Sequence, residues 1–374
     1  MEKSPTNAGC MLYLPLGKCQ PSFNLEKAVC NHGFFMMSPN KWIPSTKTLQ
    51  RPLRLANFTS SVIVSISHPS CDAPLHIYVH GIETLSLEDK NIILKQVTRM
   101  LRMSNKDVKT VEEFQKLYPE AKESGFGRLF RSPCLFEDIV KSMLLCYSRW
   151  DRTLKMAKSL CSLQFQLSNG SSLSKPNAED QVSQSPTSKR KRKQKGPVNK
   201  NIEEGRNCND KLIGNFPSSK ELASLDEYNL NQHCGLGYRA SYIISLAKRI
   251  EKGTLNLKKL EEECDFGSYE EVYRKLNNLE GVGPFTSSNI LMCLGCYQKI
   301  PADTETRRHL QEVHGMSDCK KGTIIKISEE IYKKYAPFQC LAYWFELLNS
   351  YEKRFGKLCE LNESDYYKIT GSIA

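Results

Sequence analysis

The sequence predicts an α+β fold, with an N-terminal domain built on an antiparallel sheet and a mostly α-helical domain that holds a helix-hairpin-helix. Three observations predict it. Val62, Val64 and Ile66 alternate with Ile63 and Ser65, and Leu75, Ile77 and Val79 alternate with His76, Tyr78 and His80, which is the period of a strand. After residue 84 the apolar residues recur at helical spacing instead. Between two of these helical stripes stands a glycine-rich turn, Leu279-Glu280-Gly281-Val282-Gly283-Pro284-Phe285-Thr286.

In chain order, residues 1–20 are expected to be a flexible leader, without the apolar core of a secretory signal or the Arg-rich, acid-poor look of a transit peptide. Residues 21–105 form the α+β domain. Its two alternating runs pair as a hairpin whose turn is bounded by Pro69 and Pro74. The run from Val62 to Ile66 is apolar enough to be buried on both faces. Ser86-Leu87-Glu88-Asp89 has the form of a helix N-cap, followed by Ile93, Val97, Met100 and Leu101 on one stripe.

Residues 106–165 are the first part of the helical domain. Pro133 leads into an amphipathic helix with Phe136, Ile139, Val140, Met143 and Leu144 on its apolar face. Residues 166–212 contain no Phe, Tyr or Trp and hold ten Lys/Arg against five Asp/Glu. Such a segment buries too little apolar surface to offset its ordering entropy, so a disordered basic insertion is expected. Within it Lys189, Arg190, Lys191, Arg192, Lys193 and Lys195 form a run that reads as a nuclear localisation signal or as a solvated DNA-contacting tract, two compatible roles. Residues 213–365 complete the helical domain, and residues 366–374 are expected to be a tail.

Composition narrows the partners. The net charge of +12 over 374 residues favours a polyanion. No apolar run reaches the roughly 18 residues that would span a bilayer, so no membrane association is expected. The fifteen cysteines are scattered, and reduced thiols are expected. Cys293 and Cys296 form a CxxC without a second pair or clustered histidines, and Cys319, Cys340 and Cys359 are too far apart for a compact cluster site. No metal centre and no required cofactor are expected.

The hairpin carries the chemistry. Val272, Leu276 and Leu279 line one face of the helix before it, and Ile290, Leu291 and Leu294 continue the stripe after it. Gly281 and Gly283 allow positive φ and close backbone approach, and Pro284 suits a first helical turn. N–H groups at such a helix start hold a phosphate whatever the base sequence. Hairpin carbonyls are also able to bind a monovalent cation that shares the phosphate. Asp303 follows Phe285 by eighteen residues, in Ile300-Pro301-Ala302-Asp303-Thr304. Its position is that of a helix N-cap, where backbone N–H groups keep a carboxylate ionised. The plain alternatives are an αα-corner and a cap with no further role.

A helix, a glycine hairpin, a second helix, a Gly/Pro loop and then an aspartate resemble the HhH-GPD superfamily of DNA glycosylases. Gly235-Leu236-Gly237-Tyr238-Arg239-Ala240 is similar to a motif of the eukaryotic 8-oxoguanine DNA glycosylases, and residues 128–146 resemble the helix preceding their base-opposite loop. The similarity covers roughly residues 20–165 and 213–350. It implies a monomer that flips a damaged base out of duplex DNA and cuts its glycosidic bond. Asp303 is then the catalytic carboxylate beside an oxocarbenium-like sugar. Gly281, Val282, Gly283 and Thr286 grip the DNA, with Arg307 and Arg308 on the next helix. Tyr238 and Arg239 support the opened duplex. Bifunctional relatives carry a Schiff-base lysine where this chain has Phe285, and bacterial 3-methyladenine DNA glycosylase II has an aromatic residue there. The resemblance therefore implies hydrolysis without lyase activity, and Lys299 stands at the wrong position to substitute. Phe285 either stacks on the flipped base or packs in the core. Tyr147 replaces an asparagine of the base-opposite loop and joins the base pocket. Trp150 reads as core. Phe338, Tyr343 and Trp344 lie on a C-terminal helix, with Trp344 as a pocket wall. The rival reading is a non-catalytic protein that binds damaged DNA on the same scaffold.

Overall fold

The structure, a computed structural model, describes residues 8–170, 214–316 and 322–369. Its strands are β1 (Gly9–Leu14), β2 (Lys41–Ile43), β3 (Thr48–Arg54), β4 (Ser61–Ser67) and β5 (Leu75–His80). They form one antiparallel sheet in the order β1-β5-β4-β3-β2. The predicted hairpin is β4–β5, with Val64 opposite Val79 and Ile66 opposite Ile77. Val62, Val64 and Ile66 face the core, whereas Ile63 and Ser65 are half-buried, so the run is not sealed on both faces.

The leader expected over residues 1–20 is corrected by β1. Leu12 turns into the core while Met11 and Tyr13 face outward, a period-two pattern in Met11-Leu12-Tyr13 too short to stand out before β5 supplies its hydrogen bonds. Leu12 pairs with Ile77 there.

The first helices are α1 (Leu25–Val29), α2 (Leu87–Met100), α3 (Asn105–Leu117), α4 (Pro119–Glu123), α5 (Leu135–Leu145) and α6 (Trp150–Ser168). After the basic segment come α7 (Ser219–Ala223), α8 (Glu227–Cys234), α9 (Arg239–Glu251), α10 (Leu257–Phe266) and α11 (Tyr269–Asn277). The last are α12 (Pro284–Leu294), α13 (Thr304–His314), α14 (Ile324–Tyr332) and α15 (Gln339–Phe355). Ser86 caps α2 by accepting the Asp89 N–H at 3.0 Å, and Ile93, Val97 and Met100 are buried as their spacing predicts. Helix α6 continues through Ser168, into the stretch expected to be irregular. The basic run from Lys189 to Lys195 lies outside the described residues.

Helix α5 departs from its expected amphipathic form. Its apolar stripe is buried, but so are Glu137, Asp138, Lys141 and Ser142 on the other faces. It is a central helix, and its polar groups are matched. Arg51 on β3 donates to both oxygens of Glu137, at 3.3 and 2.9 Å, while Lys141 reaches Glu137 at 2.7 Å. Asp138 accepts from Arg99 at 2.8 Å and from the Ser132 N–H at 2.7 Å. These pairs join the sheet and α2 to the helix that backs the hairpin.

Residues expected in a tail are packed. A 3-10 turn spans Glu363–Lys368, Tyr366 is buried, and the Trp150 indole N–H donates to the Tyr366 carbonyl at 2.8 Å. Cys264 and Cys296 are joined as a disulfide, where reduced thiols were expected. Their separation of 32 residues gave no sequence signal of proximity. Among the described residues no helix is long and apolar enough to cross a membrane.

Candidate active site

The hairpin forms where it was expected. Val272 and Leu276 on α11 and Leu279 after it are buried, and the Val282 N–H closes the turn on the Leu279 carbonyl at 3.1 Å. Ser287 donates to Asn277 at 3.1 Å, tying α12 to α11. The two glycines differ. Gly281 has φ +75°, and a Cβ there would stand 2.4 Å from the Tyr242 ring. Gly283 has φ −102° and ψ −174°, with nothing within 4 Å of an added Cβ. Of the two glycines that allow a positive φ, only Gly281 adopts one. Gly283 leaves open space at the start of α12, where Pro284 and a missing capping side chain expose the first-turn N–H groups.

This difference separates folding from binding. Gly281→Ala is expected to cost about 1–3 kcal/mol, from left-handed strain and the Tyr242 contact. Gly283→Ala is expected to change stability by less than about 0.5 kcal/mol yet weaken duplex binding, because its methyl group would fill the approach of a phosphate. Chemical denaturation and DNA-binding isotherms measure the two. Parental DNA affinity in Gly283→Ala would remove the hairpin from the interface.

The side chains of Val282 and Thr286 turn inward. Val282 is buried, and Thr286 is fully buried with its hydroxyl 2.8 Å from the Cys146 sulfur. Only their backbone is left to face outward, since an apolar hairpin must pack its side chains inward to hold its shape.

Asp303 is the N-cap of α13. Its Oδ1 accepts the N–H groups of Glu305 and Thr306, both at 2.9 Å. The Thr306 hydroxyl takes the Asp303 N–H at 3.2 Å and is itself 2.9 Å from the Tyr343 hydroxyl. Among the described residues no hydrogen bond is made by Oδ2. One carboxylate oxygen is therefore anchored at a helix start and the other is presented outward. Asp303 is exposed at the cavity, and its partial desolvation by the surrounding protein raises its pKa above the usual 3.8 against the opposing pull of the Thr306 and Glu305 N–H groups. The N–H groups favour the ionised form, as expected, while desolvation opposes them and outweighs them in the direction of the shift.

The cavity holds about 1130 Å³. Asp303, Phe285, Tyr147, Trp344 and Arg308 all line it, so residues from four separate stretches of chain converge there. Phe285 is thus a wall and not only core. Tyr147 is 88% exposed at the rim with φ 46°, a strained conformation in a non-glycine residue. Tyr343 and Trp150 also line the space, while Phe338 packs against Phe114 in the core.

The arginines fall differently. Arg239 is buried and donates to the carbonyls of Met143 and Cys146, with its guanidinium 4.6 Å from the Tyr238 ring. Its assignment as a DNA-contacting residue is corrected: its donors are spent bracing the loop that carries Tyr147. Arg308 is paired with Glu305 and Glu312, so its charge is largely neutralised before any phosphate arrives, which corrects its assignment too. Arg307 is exposed and keeps its expected role available. Tyr238 is half-exposed and its hydroxyl donates to the Cys146 carbonyl at 3.3 Å, beside Tyr147.

The sequence reading missed the wall supplied by the N-terminal domain. Asn31, His32, Gly33, Phe34 and Met36 line the cavity. His32 is buried and meets Trp344 edge-to-face with centroids 4.5 Å apart. Burial, assisted by the Arg102 and Lys141 charges, pushes its pKa down to about 3, so it is neutral. Its Nδ1 accepts the Phe34 N–H at 3.4 Å, leaving the ring proton on Nε2. Only the unusual density of aromatic and polar residues in Cys30-Asn31-His32-Gly33-Phe34-Phe35 could have pointed there.

No protein-family model matches the chain. Two curated relatives do. One is YfjP of Bacillus subtilis (strain 168), whose name proposes a DNA-3-methyladenine glycosylase, 28% identical over 132 residues, 34% of this chain and 44% of the relative. The other is an N-glycosylase/DNA lyase of Saccharomyces cerevisiae, 33% identical over 100 residues, 25% of this chain and 27% of the relative. The chain spans less than half the length of these relatives. Solved structures match far more of it. MBOgg1 bound to a low-affinity DNA ligand has a TM-score of 0.57 at 15% identity, over 93% of this chain and 98% of the other. The 3-methyladenine DNA glycosylase of Archaeoglobus fulgidus has a TM-score of 0.56 at 17% identity, over 92% and 98%. The apo 8-oxoguanine glycosylase/lyase of Clostridium acetobutylicum has a TM-score of 0.55 at 15% identity, over 91% and 97%.

Proposed function

We propose that this chain, which has the α+β fold of the HhH-GPD DNA glycosylases, is a monofunctional DNA glycosylase acting on an alkylated or oxidised base in duplex DNA. The observation that carries the proposal is that Asp303 and Phe285 line one cavity. A flipped nucleotide places its base among Phe285, Tyr147 and Trp344, where aromatic faces stack on it. The free Oδ2 of Asp303 stabilises the positive sugar as the C1′–N bond breaks and the bonding electrons leave with the base. Water then adds to C1′ and gives a proton to Oδ2. The products are the free base and an abasic site in an uncut strand.

Tyr238, whose hydroxyl reaches the Cys146 carbonyl beside Tyr147, fills the gap left by the base. The hairpin backbone takes a phosphate, with a monovalent cation shared between it and the hairpin carbonyls. The chain acts as a monomer, and the basic run from Lys189 to Lys195 directs it to the nucleus. Absence of lyase activity is supported by the amines themselves. Lys299 is paired with Glu329 at 2.8 Å. Lys368 lines the cavity, but Asp365, hydrogen-bonded to it, raises its pKa, the reverse of what a Schiff-base amine needs.

The test is incubation with duplexes carrying alkylated, oxidised or deaminated bases, read by mass spectrometry without alkali, with a parallel borohydride trap. A released base, an intact strand and no trapped adduct are expected. Covalent capture would overturn the monofunctional assignment. Tight binding to an abasic-site analogue with no base released from any duplex would replace the enzyme by a damage-binding protein.

A further inference from the structure

Helix α13 begins at Asp303 and ends in a second cluster, where four side-chain atoms from α13, α14 and α15 meet around one point. His309 is fully buried, and His314 and Glu346 are half-buried. The Nε2 of His309 lies 3.1 Å from the Tyr332 hydroxyl and 3.5 Å from Oε2 of Glu346. The Nε2 of His314 lies 3.2 Å from the same hydroxyl and 2.9 Å from the same oxygen. The Tyr332 hydroxyl is 2.6 Å from that oxygen.

Zinc bound to nitrogen and oxygen at about 2.0–2.1 Å sets its tetrahedral ligands roughly 3.3 Å apart. Oε2 of Glu346 lies 3.5 and 2.9 Å from the two imidazole nitrogens, and the three ligand atoms all lie within 4.8 Å of one another, close to those edges. Both imidazoles present the same nitrogen to the same carboxylate oxygen, which three donors then crowd.

We propose that His309, His314 and Glu346 bind a divalent transition-metal ion, zinc by the chemistry of the donors, with the Tyr332 oxygen beside the fourth position. Two imidazoles and one carboxylate suit zinc and its first-row neighbours better than calcium or magnesium, which favour all-oxygen shells. Binding moves each imidazole proton from Nε2 to Nδ1 and changes no oxidation state. The buried His309 Nδ1 has no hydrogen-bond partner, so the proton moved there lacks the acceptor that metal-bound imidazoles usually have. The ion would clamp the C-terminal end of α13 to α14 and α15. It is not a catalytic metal, because Asp303 caps the opposite end of the helix.

The full-length protein, stripped with a chelator, is titrated with Co²⁺ as the probe. One equivalent is expected to bind with the visible absorption of a tetrahedral site, to be displaced by Zn²⁺, and to raise the melting temperature. His314→Gln, at the half-buried helix end, is expected to weaken Co²⁺ binding at least about tenfold. Glu346→Gln serves as an independent second variant. Absence of stoichiometric Co²⁺ and of its absorption in the parent protein would overturn the site. So would unchanged Co²⁺ affinity in either variant, provided its circular dichroism matches the parent. These readouts do not depend on base release.

Discussion

Asp303→Asn is expected to reduce base release by about 100- to 10,000-fold, the range for losing a positioned acid–base group. That is roughly 3–5 kcal/mol of transition-state stabilisation. Duplex affinity should persist, because the hairpin and Arg307 are untouched. Stability should not fall. Asparagine caps a helix about as well as aspartate, and Oδ1 can keep the Glu305 and Thr306 N–H groups. The charge itself works against the fold. Since partial desolvation raises the Asp303 pKa above 3.8, its contribution is fully present below the unfolded pKa and is lost as pH rises through the folded value. At neutral pH the ionised carboxylate therefore costs stability, and the Asn variant is expected to melt at the same temperature or higher. For the same reason, the acid limb of the pH–rate profile should lie above the range of an ordinary aspartate. Single-turnover base release across pH, with thermal melts, tests all three. Equal release by parent and variant would end the catalytic role of Asp303.

Glu137→Gln is the largest expected loss of stability. Arg51, Glu137 and Lys141 have side chains at most 2% exposed, so removing the one anion leaves two buried cations. Breaking such a group costs about 3–5 kcal/mol, a large share of the 5–15 kcal/mol that holds a typical domain folded. Burial acts to raise the Glu137 carboxyl, but Arg51 and Lys141 outweigh it and hold it down to about 2. The folded pKa is depressed, so this stabilisation is present above the unfolded carboxylate value of 4.5 and is lost as pH falls through about 2. Urea midpoints at neutral and acid pH provide the measurement. Replacing all three residues together by apolar ones should cost much less than the single change, since no unpaired charge remains. A single variant as stable as the parent would exclude the triad as a structural joint. The joint matters to function because it locks α5 to β3, and the loop after α5 carries Tyr147 to the cavity rim.

The hairpin and Asp303 were legible because their signals are local. Glycines, a proline and a cap residue act within a few positions of themselves, and the backbone expresses them before distant packing intervenes. The β4–β5 hairpin and the cap at Ser86 were legible for the same reason. Strand β1 and the packed turn through Tyr366 were not, because each gains its order from a partner remote in the chain.

The amino-acid sequence by itself determined an α+β chain, a glycine hairpin between two helices, a capping aspartate and an aromatic residue two positions after the last hairpin glycine. Tertiary structure alone decided which side chains are available. It spent Arg239 on carbonyls and Arg308 on carboxylates, and it raised Asp303 by partial desolvation. It also brought His32 from the N-terminal domain against Trp344 from the last long helix. Local geometry needs only short-range sterics and hydrogen bonds, whereas accessibility, charge pairing and desolvation are properties of the assembled surroundings.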